Sequence, residues 1–146
     1  MTKSEHGMSE FHEGQSWTKP IVWGIAFGLF QAFSPLAFFW LEPVVVWSLS
    51  VVLIAAVYIG LAVADGRTTV VAVEVIVASA FVIMAAVAIK SAPWLIVIAL
   101  VAHGIKDTLQ QRTHFVANTR WWPPFCLVVD FVAAAVIALK IFTAGG

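Results

Sequence analysis

This chain has little charge and almost no cysteine. Lys, Arg, Asp and Glu make up only 11% of its 146 residues, well below the roughly 25% usual in soluble domains. Acids and bases cancel to a formal net charge of zero, so the composition calls for no nucleic-acid partner. The one cysteine, Cys126, excludes an internal disulfide and any cysteine-rich metal site. Nucleophile-elbow, phosphate-loop and zinc-peptidase motifs are missing. No internal repeat marks an inverted-repeat transporter. The polar residues 1–19 lack the apolar stretch of a signal peptide. They are expected to form a short cytoplasmic tail before a single transmembrane domain over 20–146.

What fills the chain is apolar sequence, 62% of the residues, with a mean hydropathy of +0.98. A membrane-crossing helix needs about 20 apolar residues. Five stretches qualify: Pro20–Trp40, Val44–Val63, Thr69–Ile89, Trp94 to about His114, and Phe125 to about Phe142. The expected fold is therefore an all-α integral membrane protein, a bundle of five transmembrane helices. Lys3, Lys19, Arg67, Arg112 and Arg120 fall on one side, against Lys90 and Lys140 on the other. By the positive-inside rule the N-terminus is cytoplasmic. Trp17, Trp23, Trp40, Trp94, Trp121 and Trp122 lie at span ends, as an interfacial aromatic belt requires. Gly24, Gly28 and Ala32 form a small-residue stripe for close helix approach, more simply within the chain than between chains. Pro35 is expected to kink the first span and free a carbonyl that another group must satisfy.

Against this background the ionisable residues stand out, because charge inside a bilayer is costly and by default marks a site. His103, Asp107, Gln110 and His114 share a helical sector of about 60°. Counted from the cytoplasmic end of each span, Glu74 and Asp130 lie about 8 Å deep, and Asp107 about 10 Å. Tyr58 falls near that level, while His103 and Gln31 come out deeper, at about 16 Å. This predicts one polar layer in the cytoplasmic half. His103, Asp107, Asp130 and Glu74 are its candidate catalytic groups; Tyr58, Gln31, Trp121 and Trp122 are candidates for binding substrate. His103 and Asp107, one turn apart, suit a divalent metal ion, with Glu74 or Asp130 completing a mixed nitrogen and oxygen shell. His114 is about 16 Å further along the axis and cannot share that ion. Haem is disfavoured, since only His103 is deep enough to serve as an axial ligand. A structural reading stands beside these: Asp107 paired with Lys106 or Arg112, Glu74 with Arg67, Asp130 with Arg120, and Cys126 simply packed.

The segment from His103-Gly-Ile-Lys-Asp107 through Trp121-Trp122-Pro123-Pro124-Phe125-Cys126 to Asp130 covers about a fifth of the chain. It resembles a group of small, uncharacterised bacterial multi-pass membrane proteins carrying H-x-x-x-D, then W-[WY]-P-x-x-C, then x-x-x-D. The resemblance implies that these residues form one unit, in a bacterial inner membrane, and brings no activity with it. Three functions compete. The leading one is a small membrane-embedded enzyme using acid/base or metal-assisted chemistry on a membrane lipid or other lipophilic small molecule. The second is a proton- or cation-coupled transporter acting as a homo-oligomer. The third is an accessory subunit of a larger membrane complex. Polar groups gathered in one half of the membrane favour a one-sided pocket over a through-path.

Overall fold

A computed structural model describes residues 18–116 and 121–144. The tail expected over 1–19 therefore lies almost wholly outside the described residues, as do Trp17 and Arg120. The described chain is nearly all helix and contains no strand. It runs through α1 (Thr18–Phe33), a 3-10 turn (Ser34–Leu36), α2 (Pro43–Asp65), α3 (Thr68–Lys90), α4 (Trp94–Thr113) and α5 (Trp122–Ala144). Apolar runs of this length become helices because a helix satisfies its own backbone hydrogen bonds where water is absent. Three of the helices, α2, α3 and α5, are long and apolar enough to cross a membrane.

Proline and glycine set the helix boundaries. Pro43 occupies the first position of α2, where its missing N–H costs nothing. Gly66 ends the same helix at φ 82°, a left-handed conformation that favours glycine. Beside it, Arg67 holds Asp65 at 2.6 and 2.9 Å and donates to the Phe115 carbonyl at 2.6 Å. The α2–α3 turn and the segment after α4 thus share one end of the bundle. α5 starts at Trp122, three residues ahead of the expected Phe125, because Pro123 and Pro124 fit inside its first turn.

The first span differs from expectation. Instead of a kinked helix over Pro20–Trp40, α1 stops at Phe33 and Pro35 sits in the 3-10 turn. Its 16 residues reach about 24 Å, short of the roughly 30 Å of hydrocarbon in a bilayer. The cause is local. Pro35 has no N–H for the Gln31 carbonyl, which accepts from Ser34 Oγ at 2.7 Å instead. The next freed carbonyl, on Ala32, accepts from Trp47 Nε1 at 3.2 Å and from Lys140 Nζ at 3.1 Å. These side chains do for the broken helix what a further turn would have done.

The bundle is organised around α5, which packs extensively against α1 on one side and α4 on the other. α2 and α3 form an antiparallel hairpin joined to the rest chiefly through α4. α1 and α2 barely touch. The small-residue stripe of α1 faces α5 within the same chain. A methyl on Gly24 would stand 2.7 Å from Val128 Cβ, and one on Gly28 would stand 2.8 Å from the Val129 carbonyl oxygen. The core between the helices is built largely of alanines with Trp47, Phe81, Ile96, Leu100 and Ile137. Large apolar residues such as Phe30, Leu53, Ile76 and Leu139 point outward. That outward greasiness is the inverse of a water-soluble protein and is what a lipid-facing surface requires.

Candidate functional site

α4 has two unlike faces. Ile98, Ile105 and Leu109 are more than half exposed on one, while His103, Asp107 and Gln110 on the other are 2%, 0% and 8% exposed. This is the separation that the sequence spacing predicts, since a polar stripe must face other helices and not lipid tails. The stripe meets Asp130 from α5, Tyr58 from α2 and Glu74 from α3, all of them buried.

These residues make two linked groups. In the first, His103 Nδ1 lies 2.8 Å from Asp130 Oδ2 and 3.8 Å from Asp107 Oδ2. The Tyr58 hydroxyl donates to Asp107 Oδ1. Edges and faces of Tyr58 and Phe81 clamp the imidazole, each ring centre 5.0 Å from it. In the second group, Lys106 Nζ lies 2.8 Å from Glu74 Oε2, and Gln110 Nε2 donates to Glu74 Oε1. Lys106 joins the groups by standing over the Tyr58 ring, 3.6 Å from its centre.

Counting charges shows what is missing. Lys106 balances Glu74, leaving His103 to face two carboxylates, Asp107 and Asp130. Even a protonated imidazole neutralises only one of them. Asp107 Oδ2 and Asp130 Oδ1 are buried and have no hydrogen-bond partner among the described residues. Buried charge that is neither paired nor bonded costs several kcal/mol per ion, on the order of the whole stability of a domain. A shared proton or a bound cation resolves that cost. His103, Asp107 and Asp130 each offer a ligand atom, all within 4.8 Å of one another, which is the reach of one metal ion.

The layer read from the sequence is rearranged in two respects. His103 is not a level deeper than the acids, because it bonds to Asp130 directly. Depth counted from helix ends ignores how far neighbouring helices tilt and slide past each other. Glu74 stands apart from the three possible ligands and is held by Lys106 and Gln110. His114 caps α4 in a left-handed conformation at φ 51°, exposed and away from the cluster. Neither Arg67 nor Arg112 is what Glu74 and Asp107 meet; Lys106 takes Glu74, and Tyr58 takes Asp107. Cys126 is packed and buried.

The remaining candidates line a cavity of about 750 Å³ between α1, α2 and α5, left by the poor contact of α1 with α2. Gln31, Trp121, Trp122 and Asp130 are on its walls, while Tyr58 is not among its lining residues and packs behind Phe125, Cys126 and Val129, which are. Its lining is otherwise aromatic and aliphatic, with Phe27, Phe30, Leu49 and Leu53 prominent. Asp130 therefore belongs to both places, bonding His103 through Oδ2 and lining the cavity. Gln31 Nε2 and Trp122 Nε1 are buried donors without a partner among the described residues.

Sequence reasoning undervalued Lys106 and Gln110 as the partners of Glu74. The signal was present: a buried acid needs a cation, and Lys106 borders the stripe one turn from His103. Phe81 left no such trace, since an aromatic in an apolar run looks like any core residue. Compared with protein families, with characterised proteins and with solved structures, the chain matches none. What the protein does is therefore to be sought in the atoms of the site.

Proposed function

We propose that this is a small membrane-embedded enzyme in which His103, Asp107 and Asp130 hold a divalent cation and act on a lipophilic substrate. One observation carries the reading: an imidazole and two carboxylates converge inside the bundle with two carboxylate oxygens unspent. A neutral imidazole nitrogen and two carboxylate oxygens form a mixed shell of the kind that binds zinc, iron or manganese and leaves positions open for substrate. Such an ion would polarise an oxygen of the substrate or lower the pKa of a bound water. Around it, Tyr58 orients Asp107 by its hydrogen bond, and the tightly packed Phe81 fixes the imidazole plane. Fixing ligands through a second layer of contacts is what tunes such sites.

In this reading all five helices are embedded, including α1 with its outward aromatics and the amphipathic α4. Basic residues Lys19, Arg67 and Arg112 at one end argue for a cytoplasmic N-terminus in a bacterial inner membrane. Two experiments test the function. Metal analysis of the purified protein should find one equivalent of a divalent ion, lost in His103→Ala and Asp107→Asn and kept in His114→Ala. Cells producing the wild type should differ from cells producing His103→Ala in their lipid-extractable metabolites. Identical extracts, or metal retained in both cluster variants, would overturn the proposal.

A further inference from the structure

The cavity between α1 and α2 is a groove that runs along the bundle, and its two ends differ in charge. From Trp23 to Ser34 on α1, and from Val46 to Val57 on α2, its walls extend about 17 Å along the helix axes. Lys19 lies one turn before Trp23 on the same face of α1 and is exposed, so an ammonium marks the end where α1 begins. At the far end the wall finishes at Leu41, and the exposed carboxylate of Glu42 follows it. Between these ends the wall is almost wholly apolar. Ser34 and Ser50 spend their hydroxyls on the carbonyls of Gln31 and Val46, and Gln31 and Asp130 are sealed at 8% and 0% exposure. Asp130 sits near the middle. Gly28 abuts Val129 and Val132, which brackets Asp130 at the level of Gly28, about 8 Å from Trp23 and about 9 Å from Ser34 along α1.

We infer that this groove seats an acyl chain of an anionic lipid along the bundle axis, with the headgroup toward Lys19 and the middle of the chain level with Asp130. The walls argue against a helix as occupant. Membrane helices approach one another through small residues, and α1 spends its own, Gly24 and Gly28, on α5. No glycine or alanine lines the groove. Its walls are large, uneven side chains such as Trp23, Phe27, Phe30, Leu49 and Leu53, which a flexible chain can follow and a helix cannot. Residues 1–17 of the chain itself carry Lys3, Glu5, Glu10 and Glu13, charges that such walls would strand. The ends set the direction, because a negative headgroup is drawn to Lys19 and repelled by Glu42. With all five helices embedded, as proposed, the gap between α1 and α2 admits such a chain sideways from the bilayer. The inference deepens the proposed function by naming its substrate class. Asp130 is the residue shared by the groove wall and the proposed cation site, so the part of the substrate level with that site is the interior of the chain and not its headgroup.

The test maps contacts with photoreactive lipids. The full chain in phosphatidylcholine nanodiscs receives a small fraction of phosphatidylglycerol with a diazirine near the head, at the middle or at the end of one acyl chain. Adducts are located by mass spectrometry. The mid-chain probe should label groove residues around Gln31 and Val129, the near-head probe those around Trp23 and Trp121, and the end probe Phe38 and Leu41. Unlabelled phosphatidylglycerol should compete. The same mid-chain probe on phosphatidylcholine should label the groove about fivefold less, the order of the attraction between one lysine at the membrane surface and an anionic lipid. Lys19→Gln, at an exposed position that leaves the packing alone, should erase that difference. Labelling spread equally over the outward residues Ile76, Ile83 and Leu139 would mean ordinary surrounding lipid. An unlabelled groove would mean that a second copy or the N-terminal segment fills it. Equal labelling by the two lipids would remove the headgroup, and mid-chain adducts at the groove ends would remove the register. Each of these results overturns the inference. Repeating the mapping after chelation separates the two proposals. The expected adducts in a protein shown to bind no metal would sink the metal-assisted chemistry and leave the seated chain standing, whereas bound metal beside an unlabelled groove would do the reverse.

Discussion

Helices α1 and α4 both pack against α5, and they do so by opposite means. α1 approaches through Gly24 and Gly28, so closely that a single added carbon meets side chains and backbone at under 3 Å. α4 approaches through hydrogen bonds and charge, with His103 reaching Asp130 across the interface. If all five helices are embedded, as proposed, neither contact is driven by the hydrophobic effect, because lipid tails are as apolar as the helices. Shape holds one seam, and buried polarity occupies the other. The difference matters for function. A close-packed apolar seam has no chemistry to offer, whereas the polar seam sets two carboxyl groups against one imidazole and leaves an oxygen on each without a hydrogen-bond partner among the described residues. One face of α5 is scaffold and the other is the proposed site.

The comparison breaks most visibly within the polar seam, at the one pair that reads as structural. Lys106→Met should cause the largest loss of stability, about 3–5 kcal/mol, because it strands Glu74 as a buried charge. Adding Glu74→Gln should recover most of that loss, since removing both charges is often neutral or better. Thermal unfolding in detergent measures both. If Lys106→Met alone were harmless, Glu74 would have to find its counter-charge elsewhere, and the division of the cluster into scaffold and site would fail.

A smaller effect is expected in the glycine seam. Gly28→Ala should lower stability by about 1–3 kcal/mol, the usual cost of overpacking, because its new methyl meets a backbone oxygen that cannot turn aside. Gly60→Ala is the matched control. It lies mid-helix with nothing within 4 Å of the added carbon, so helix propensity alone should stabilise it by about 0.5–1 kcal/mol. Opposite signs for the same substitution on two helices would tie the effect to α5. If Gly28→Ala melted like the wild type, α1 would have to be free to slide on α5, and the shape of the cavity would lose its foundation.

The two seams were not equally legible in the sequence. The glycine stripe and the His103–Asp107–Gln110 face both follow from residue spacing on one helix, and both face inward as their spacing requires. Pro35 announced a freed carbonyl, but not that α1 would end there, since that depended on Ser34, Trp47 and Lys140 lying where they could take over. Contacts between helices were the weak point. Which acid meets His103 depends on the stagger of α4 against α5, and spacing within either helix says nothing about that. The cavity was invisible for the same reason, because it exists where α1 and α2 fail to meet.

The smallest expected change in stability is the one that most sharpens the contrast between scaffold and site. Asp130→Asn preserves shape and leaves an oxygen to accept from His103 Nδ1, while removing one of two charges that face a single imidazole. If Asp130 is kept for function, its charge is a burden on the fold. Thermal stability of the variant should then match or slightly exceed that of the wild type. Both proteins must be compared after chelation, since a bound ion stabilises whichever form retains it. The same substitution should abolish metal binding. If Asp130 is instead one half of a structural ion pair with a protonated His103, neutralising it strands the imidazolium. Stability should then fall by about 3–5 kcal/mol. The two outcomes differ in direction as well as size, so one melting curve decides whether the polar face of α5 is built to hold the bundle together or to work.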